Sequence, residues 1–402
     1  MKNASKHYQG EIVHLRGINM DLYIRDGKVL INGLFQKIDI TIRNGVISSF
    51  GDSNKDSLNE LNADGKLVAP GFMDIHTHGA VGFDVNQASS GELITVSRFF
   101  ASQGTTGFLA SIATDSEEKT LEAIKQIREA MEYQYDGARI LGIHLEGPFL
   151  SPDYKGAMAE RFLRKADPIL LERYLQAAGG SVRYITVSPE VKGVPEMIGT
   201  LRKLGIVVSI GHSGADYDTA MACIRDGAIA STHTFNGMKL MHQHFPAIAG
   251  AVLESDVYCE AICDGRHLHP GAVRLLLKAK GLDRVVAITD SMAAAGLADG
   301  RYMVGASEVE VVNGDARLIS DGTRAGSTLT AIHALRNLKE FTGKSMEQLI
   351  PLLTSNPATL LKLDDKKGTI ALGKDADMVV LNDAMEVDAT VVGGKVVYRR
   401  RT

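Results

Sequence analysis

Between about residue 68 and residue 290 the chain repeats one pattern eight times: a short apolar run, a polar or glycine cluster, then a longer stretch with helical spacing. The runs are "LVAPGFMDIHTHG", "TTGFLASIAT", "RILGIHLEG", "VRYITVSPE", "VVSIGHSG", "AIASTHTFN", "VYCEAICDG" and "VVAITDS". Segments such as "EEKTLEAIKQIREAMEY" and "PGAVRLLLKAKG" between them place apolar residues at helical intervals. Strands alternating with helices imply a parallel sheet, either a doubly wound sheet or a closed barrel. A count of eight favours the α/β class in its (β/α)8, TIM-type barrel form.

Both flanks read as β structure instead. The N-terminal part alternates "DLYIRDG", "KIDITIRNG" and "VISSFG", with an Asn44-Gly45 hairpin signal. The C-terminal part runs "GTIALG", "ADMVVLND" and "ATVVGGKVVYRR". Both ends therefore read as β, over 1–67 and 365–402, around a barrel over 68–364. A further hairpin, "EVEVVNGDARLIS" with Asn313-Gly314, is expected after the eighth strand. "STLTAIHALRNLKEFTG" and "MEQLIPLLTSNPATLLKL" are expected as the last helices.

In such barrels chemistry gathers at the C-terminal strand ends. Those ends carry His76 and His78, then His144 and Glu146, His212, His233, Asp264 with His267, and Asp290. Nine of the twelve histidines lie between positions 76 and 269. A single strand-end histidine is more simply a satisfied core residue. A succession of imidazoles and carboxylates instead suits a divalent ion, zinc first, with iron, cobalt or manganese as alternatives. In His-x-His the two imidazoles share one strand face. Asp290 can be read as a ligand or as a general base that later protonates a leaving group, a division of labour suited to amide hydrolysis.

Bulk properties narrow the partners. A formal net charge of −4 gives no general attraction for nucleic acid or an acidic membrane surface. No apolar run is long enough to span a bilayer, and "MKNASKHYQGEIVHLRG" lacks the apolar middle of a signal peptide. Cys223, Cys259 and Cys263 are too few for a disulfide framework; they fit core thiols in a reducing, cytoplasmic setting. His7, His14 and His333 fall outside the strand-end pattern, and His269 before Pro270 reads as a helix start.

"PGFMDIHTHG", "GIHLEGPFL", "GHSGA", "THTFNGM", "CDGRHLHP", "ITDSMAAAG", "GSTLT" and "GTIALGKDADMVVLN" together resemble the amidohydrolase superfamily, and within it the N-acetylglucosamine-6-phosphate deacetylase family. The resemblance implies that Glu146, His212 and His233 are the principal metal ligands and that His76 and His78 build a second position, giving one or two ions per subunit. It implies Asp290 as the catalytic acid/base. It places substrate at Asn236, Gly237, His267, Ala325 and Gly326, implies a homodimer, and implies that the two chain ends build one small β-sandwich, the tail "GTIALGKDADMVVLN" returning to it. The reaction implied is removal of acetate from the 2-acetamido group of an amino-sugar phosphate.

The chain also departs from the family pattern. The family has an arginine, in a "REPG"-like stretch, that reaches the substrate phosphate from a neighbouring subunit; here "HQHFPAIAG" puts His244 there. "KGAM" places Met158 where the family has a polar residue, and Gly237 stands where alanine is usual. A histidine does not match the bidentate, permanently charged grip of a guanidinium. Arg266 in "DGRH" can be read either as the substitute for that charge or as a solvated surface arginine. The substrate alternatives are N-acetylgalactosamine-6-phosphate, an unphosphorylated N-acetyl amino sugar, or another amide such as a cyclic one. A non-catalytic relative would have lost Asp290 or a ligand, and all are present.

Overall fold

The structure, a computed structural model, describes residues 21–51, 58–305 and 307–401. Eight parallel strands follow one another in chain order around one sheet: β1 Phe72–Thr77, β2 Thr105–Ala113, β3 Arg139–Glu146, β4 Val182–Val187, β5 Val207–Ile210, β6 Ala228–Ser231, β7 Tyr258–Ile262 and β8 Val285–Ile288. They are buried almost throughout, as expected for a sheet with helices outside and packed side chains inside. The helices are α1 Ser90–Ser102, α2 Glu117–Glu132, α3 Pro168–Ala178, α4 Val194–Lys203, α5 Tyr217–Asp226, α6 Ala247–Glu254, α7 Pro270–Lys280 and α8 Ala331–Thr342. Their starts follow local chemistry. Ser89 and Glu92 form a capping box on α1, and Asp167 caps α3 ahead of Pro168.

The barrel closes between β1 and β8. The Asp290 backbone N–H donates to the His76 carbonyl (2.9 Å), and the His78 N–H donates to the Ser291 carbonyl (2.7 Å). Beneath them the buried Asp74 carboxylate accepts from the Thr289 hydroxyl at 2.5 Å. The seam therefore fixes His76, His78 and Asp290 against one another.

The sandwich joins a four-stranded sheet (Val46–Phe50, Ile40–Arg43, Leu22–Arg25, Asn59–Asn62) to a six-stranded one (Lys395–Arg399, Val387–Val392, Met378–Leu381, Leu67–Pro70, Lys28–Ile31, Leu34–Lys37). Leu22, Ile24, Ile40, Ile42, Val68, Met378 and Val391 fill the space between them. The boundary expected after residue 67 thus falls inside Leu67–Pro70, which pairs with Met378–Leu381. Gly71 is the point of transfer to the barrel, where a Cβ would lie 2.1 Å from the Thr106 side chain. Residues 1–20 and 52–57 of the expected N-terminal part, with His7 and His14, lie outside the described residues.

After β8 the expected hairpin is a three-stranded insert, Gly300–Val304, Ser307–Val312 and Asp315–Leu318, over a small core that includes Met292, Val309, Val311 and Ala325. Asn313 and Gly314 both have positive φ (51° and 75°), the turn that their sequence calls for. The last expected helix is broken into Met346–Leu349, Ile350–Leu353 and Ser355–Leu360, with Pro351 and Pro357 starting new turns.

Candidate active site

Six ionisable side chains from five strand ends meet at the barrel mouth. Glu146 stands at the centre. Its Oε1 lies 3.2 Å from His212 Nε2, 3.3 Å from His233 Nε2 and 3.3 Å from His76 Nε2; its Oε2 lies 3.2 Å from His78 Nε2. Asp290 Oδ1 is 3.4 Å from His78 Nε2 and 3.7 Å from His76 Nε2. Two donor groups result, His76–His78–Glu146 and Glu146–His212–His233, sharing one carboxylate.

The backbone aims these residues. His212, His233 and Asp290 follow directly on their strands with φ of +47°, +29° and +49°. That left-handed region is sparsely occupied except by Gly, Asn, Asp and His, and its occupation at a site marks strain held by the surroundings. For Asp290 the restraint is visible. Its carbonyl accepts from Ser327 N–H at 2.7 Å, and Gly326, at φ +61°, passes so close that a Cβ would lie 2.9 Å from that oxygen.

The outer nitrogens of three rings are tied down. His76 Nδ1 meets Glu260 Oε2 at 2.9 Å, His78 Nδ1 meets the Ser111 carbonyl at 3.1 Å, and His212 Nδ1 meets the Tyr154 carbonyl at 2.7 Å. Each acceptor fixes the proton on Nδ1 and turns a bare Nε2 lone pair inward. Those lone pairs face one another at 3.1 Å (His76, His78) and 3.0 Å (His212, His233) around a carboxylate. Burial alone would raise the Glu146 carboxyl, but the histidines hydrogen-bonded around it hold it well below its ordinary value. Such an array of donors is mutually repulsive until a cation joins it, and it fits a divalent metal of zinc-like taste.

Other strand-end residues take different parts. His144 is fully buried beneath the centre, bonded to Ser111 Oγ and Thr186 Oγ1 (both 2.9 Å) and packed edge-on to His76. Burial holds it well below the usual imidazole range, and it lies outside both donor groups. Asp264 accepts from His267 Nδ1 at 2.6 Å; despite burial, that bond and charge keep the carboxyl below its ordinary value. His269 caps α7 by accepting from Gly271 N–H. Cys259 and Cys263 are buried thiols, pushed by burial up to about 11 and about 12.

The centre opens into a cavity of about 370 Å³. Met158, Asn236, Gly237, His267, Ala325 and Gly326 line it with His78, Glu146, His212, His233 and Asp290. His244 and Arg266 do not. His244 sits on an exposed loop with Leu240, Met241 and Phe245, its ring against His242. Arg266 bonds the Asn313 carbonyl on the insert.

Sequence reasoning missed Glu260. It lies mid-strand on β7, wholly buried, and holds both the His76 ring and the His233 backbone N–H (2.9 Å each) through Oε2. The signal was a lone charge inside an apolar run, which demands a buried partner. Arg317 and Arg324 on the cavity wall were also missed.

This chain is similar to known amidohydrolases. The amidohydrolase family model matches residues 67–397. N-acetylglucosamine-6-phosphate deacetylase of Bacillus subtilis (strain 168) is 38% identical over 83% of this chain and 85% of its own. Among solved structures, N-acetylglucosamine-6-phosphate deacetylase from Pasteurella multocida superposes with a TM-score of 0.89 at 27% identity, over 94% of this chain and 100% of that one. A mutant of the Mycobacterium smegmatis deacetylase, solved in complex with N-acetyl-D-glucosamine-6-phosphate, superposes at 0.86 with 32% identity, over 94% and 99%. The chain belongs to the amidohydrolase family, among its N-acetylglucosamine-6-phosphate deacetylases.

Proposed function

We propose that this protein hydrolyses the 2-acetamido group of N-acetylglucosamine-6-phosphate, yielding glucosamine-6-phosphate and acetate. The observation that carries the reading is the single cavity in which Asp290 faces two histidine–carboxylate donor groups. Glu146, His212 and His233 would hold one ion, and His76 and His78 with Glu146 a second; zinc is our assignment, with iron, cobalt and manganese next. When bound, such an ion supplies Lewis acidity at the amide carbonyl and eases deprotonation of water near neutral pH.

The side chains of this chain do the rest. Asp290 accepts the proton of the attacking water as oxygen bonds to the acyl carbon. It then delivers that proton to nitrogen as the C–N bond breaks, giving the amine and acetic acid; the acid's remaining proton passes to the amine, leaving acetate and an ammonium group. Met158, Asn236, Gly237, His267, Ala325 and Gly326 would position the sugar. Exposed Leu240, Met241 and Phe245 support a homodimer. Three buried free thiols support a cytoplasmic setting. Among the described residues no helix is long and apolar enough to cross a membrane.

Acetate release from N-acetylglucosamine-6-phosphate, before and after chelation, tests the proposal. Turnover should vanish on chelation and return with zinc. A folded, metal-loaded protein that releases no acetate would refute it.

A further inference from the structure

The cavity has a second charged wall, next to Ala325 and Gly326 in the chain. Arg317 and Arg324 line it, with Ser307 and Thr323 beside them. Their two Nε atoms are held 2.8 Å from the two oxygens of one carboxylate, Asp315. Arg317 Nη1 also donates to the Gly322 carbonyl at 3.1 Å, and Arg324 Nη2 reaches Asp315 weakly at 3.4 Å. Arg317 Nη2 and Arg324 Nη1 meet no acceptor among the described residues. Two guanidiniums share this one carboxylate, and the charge of Asp264 also acts on Arg324. Half-exposed ion pairs of this kind contribute little stability. Bracing both forks at the edge of a ligand-sized cavity instead preorganises donors for an anion.

Arg266 bonds the Asn313 carbonyl, and His244 stands on an exposed loop outside the cavity of its own subunit, so Arg317 and Arg324 are the arginines that a single subunit brings to this cavity. We propose that Arg324 and Arg317, braced by Asp315, form an anion subsite that receives the substrate's 6-phosphate from within a single subunit. This rests on the deacetylase reading for the identity of the anion. A phosphate monoester carries about −1.5 to −2 charge at pH 7 with three acceptor oxygens, which suits two free guanidinium edges.

The test is steady-state kinetics on N-acetylglucosamine-6-phosphate and N-acetylglucosamine, with thermal shift by inorganic phosphate as an activity-independent readout. In Arg324→Met, KM for the phosphorylated sugar should rise about 10- to 100-fold, with kcat little changed. Values for the unphosphorylated sugar should stay put, and the phosphate-induced shift should shrink. Arg324→Lys should fall between, and Arg317→Met should act in the same direction. Unchanged KM and phosphate shift in both methionine variants would overturn the subsite, as would an equal rise for both sugars. A selective loss in Arg266→Ala alone would move the anion site to the end of β7. Wild-type protein that responds to phosphate through Arg324 yet releases no acetate would sink the deacetylase reading and leave the subsite standing.

Discussion

The two walls of the cavity are built by different means. The wall of histidine and carboxylate donors comes from strand ends, is buried, and has three of its four imidazoles oriented by a second partner. The facing wall comes from an insert after β8, and its arginines are a third to a half exposed (35% for Arg324, 47% for Arg317). The first wall suits chemistry, where small displacements are costly in rate. The second suits discrimination, where charge and reach matter and motion is tolerated. One barrel can therefore keep its reaction while its substrate grip migrates from one segment to another.

Substitutions should separate the walls, and the largest effect belongs to the first. Asp290→Asn keeps shape and removes the proton acceptor. Its kcat should drop by about 10²- to 10⁴-fold on phosphorylated and unphosphorylated sugar alike. Metal content, read by elemental analysis, should not change; a variant that loses its metal would make Asp290 a ligand first.

Next comes Glu260→Gln. It leaves every donor in place but weakens the bond that sets the His76 tautomer. Competition against a chelator should show metal affinity down by about 10- to 100-fold, with melting in excess metal near wild type. Unaltered affinity would confine Glu260 to packing.

A smaller and opposite signature is expected from the insert. Val309 is fully buried in its separate core. Val309→Ala should cost about 1 kcal/mol of stability, raise KM for the phosphorylated sugar and spare metal content. Metal loss in this variant would mean the walls are one mechanical unit.

Asp264, which holds His267 on the cavity lining, should affect stability and its pH dependence more than turnover. Its folded pKa lies below the ordinary 3.8, so the carboxylate stabilises the fold above that value and ceases to as pH falls through the folded pKa. Asp264→Asn should cost about 1–3 kcal/mol near neutrality by denaturant unfolding, with the gap to wild type closing below about pH 4. A pH-independent gap would assign the loss to packing.

Much of the first wall was legible in the sequence because parallel strands buried on both faces read as apolar runs, and polar residues at their ends stand out. That logic also overreached. His144 ends its run like a ligand, yet its two ring nitrogens are taken by Ser111 and Thr186 below the centre. Glu260 was passed over because it interrupts a run, and only the fold reveals that its oxygen reaches His76 across the barrel. "LVAPGFMDIH" hid a change of sheet, since Pro70 and Gly71 are the only punctuation between a sandwich strand and β1. The second wall was illegible for a deeper reason. Arg317 and Arg324 follow no period, and their place depends on how the insert folds over the mouth, which is a tertiary fact.

The most direct test is acetate release by zinc-loaded protein from N-acetylglucosamine-6-phosphate, its galactosamine epimer and both unphosphorylated sugars, compared as kcat/KM. The account predicts metal-dependent turnover with a strong preference for the glucosamine phosphate. Equal turnover of the unphosphorylated sugars would contradict the charged wall's role, and silence on all four would contradict the deacetylase reading itself.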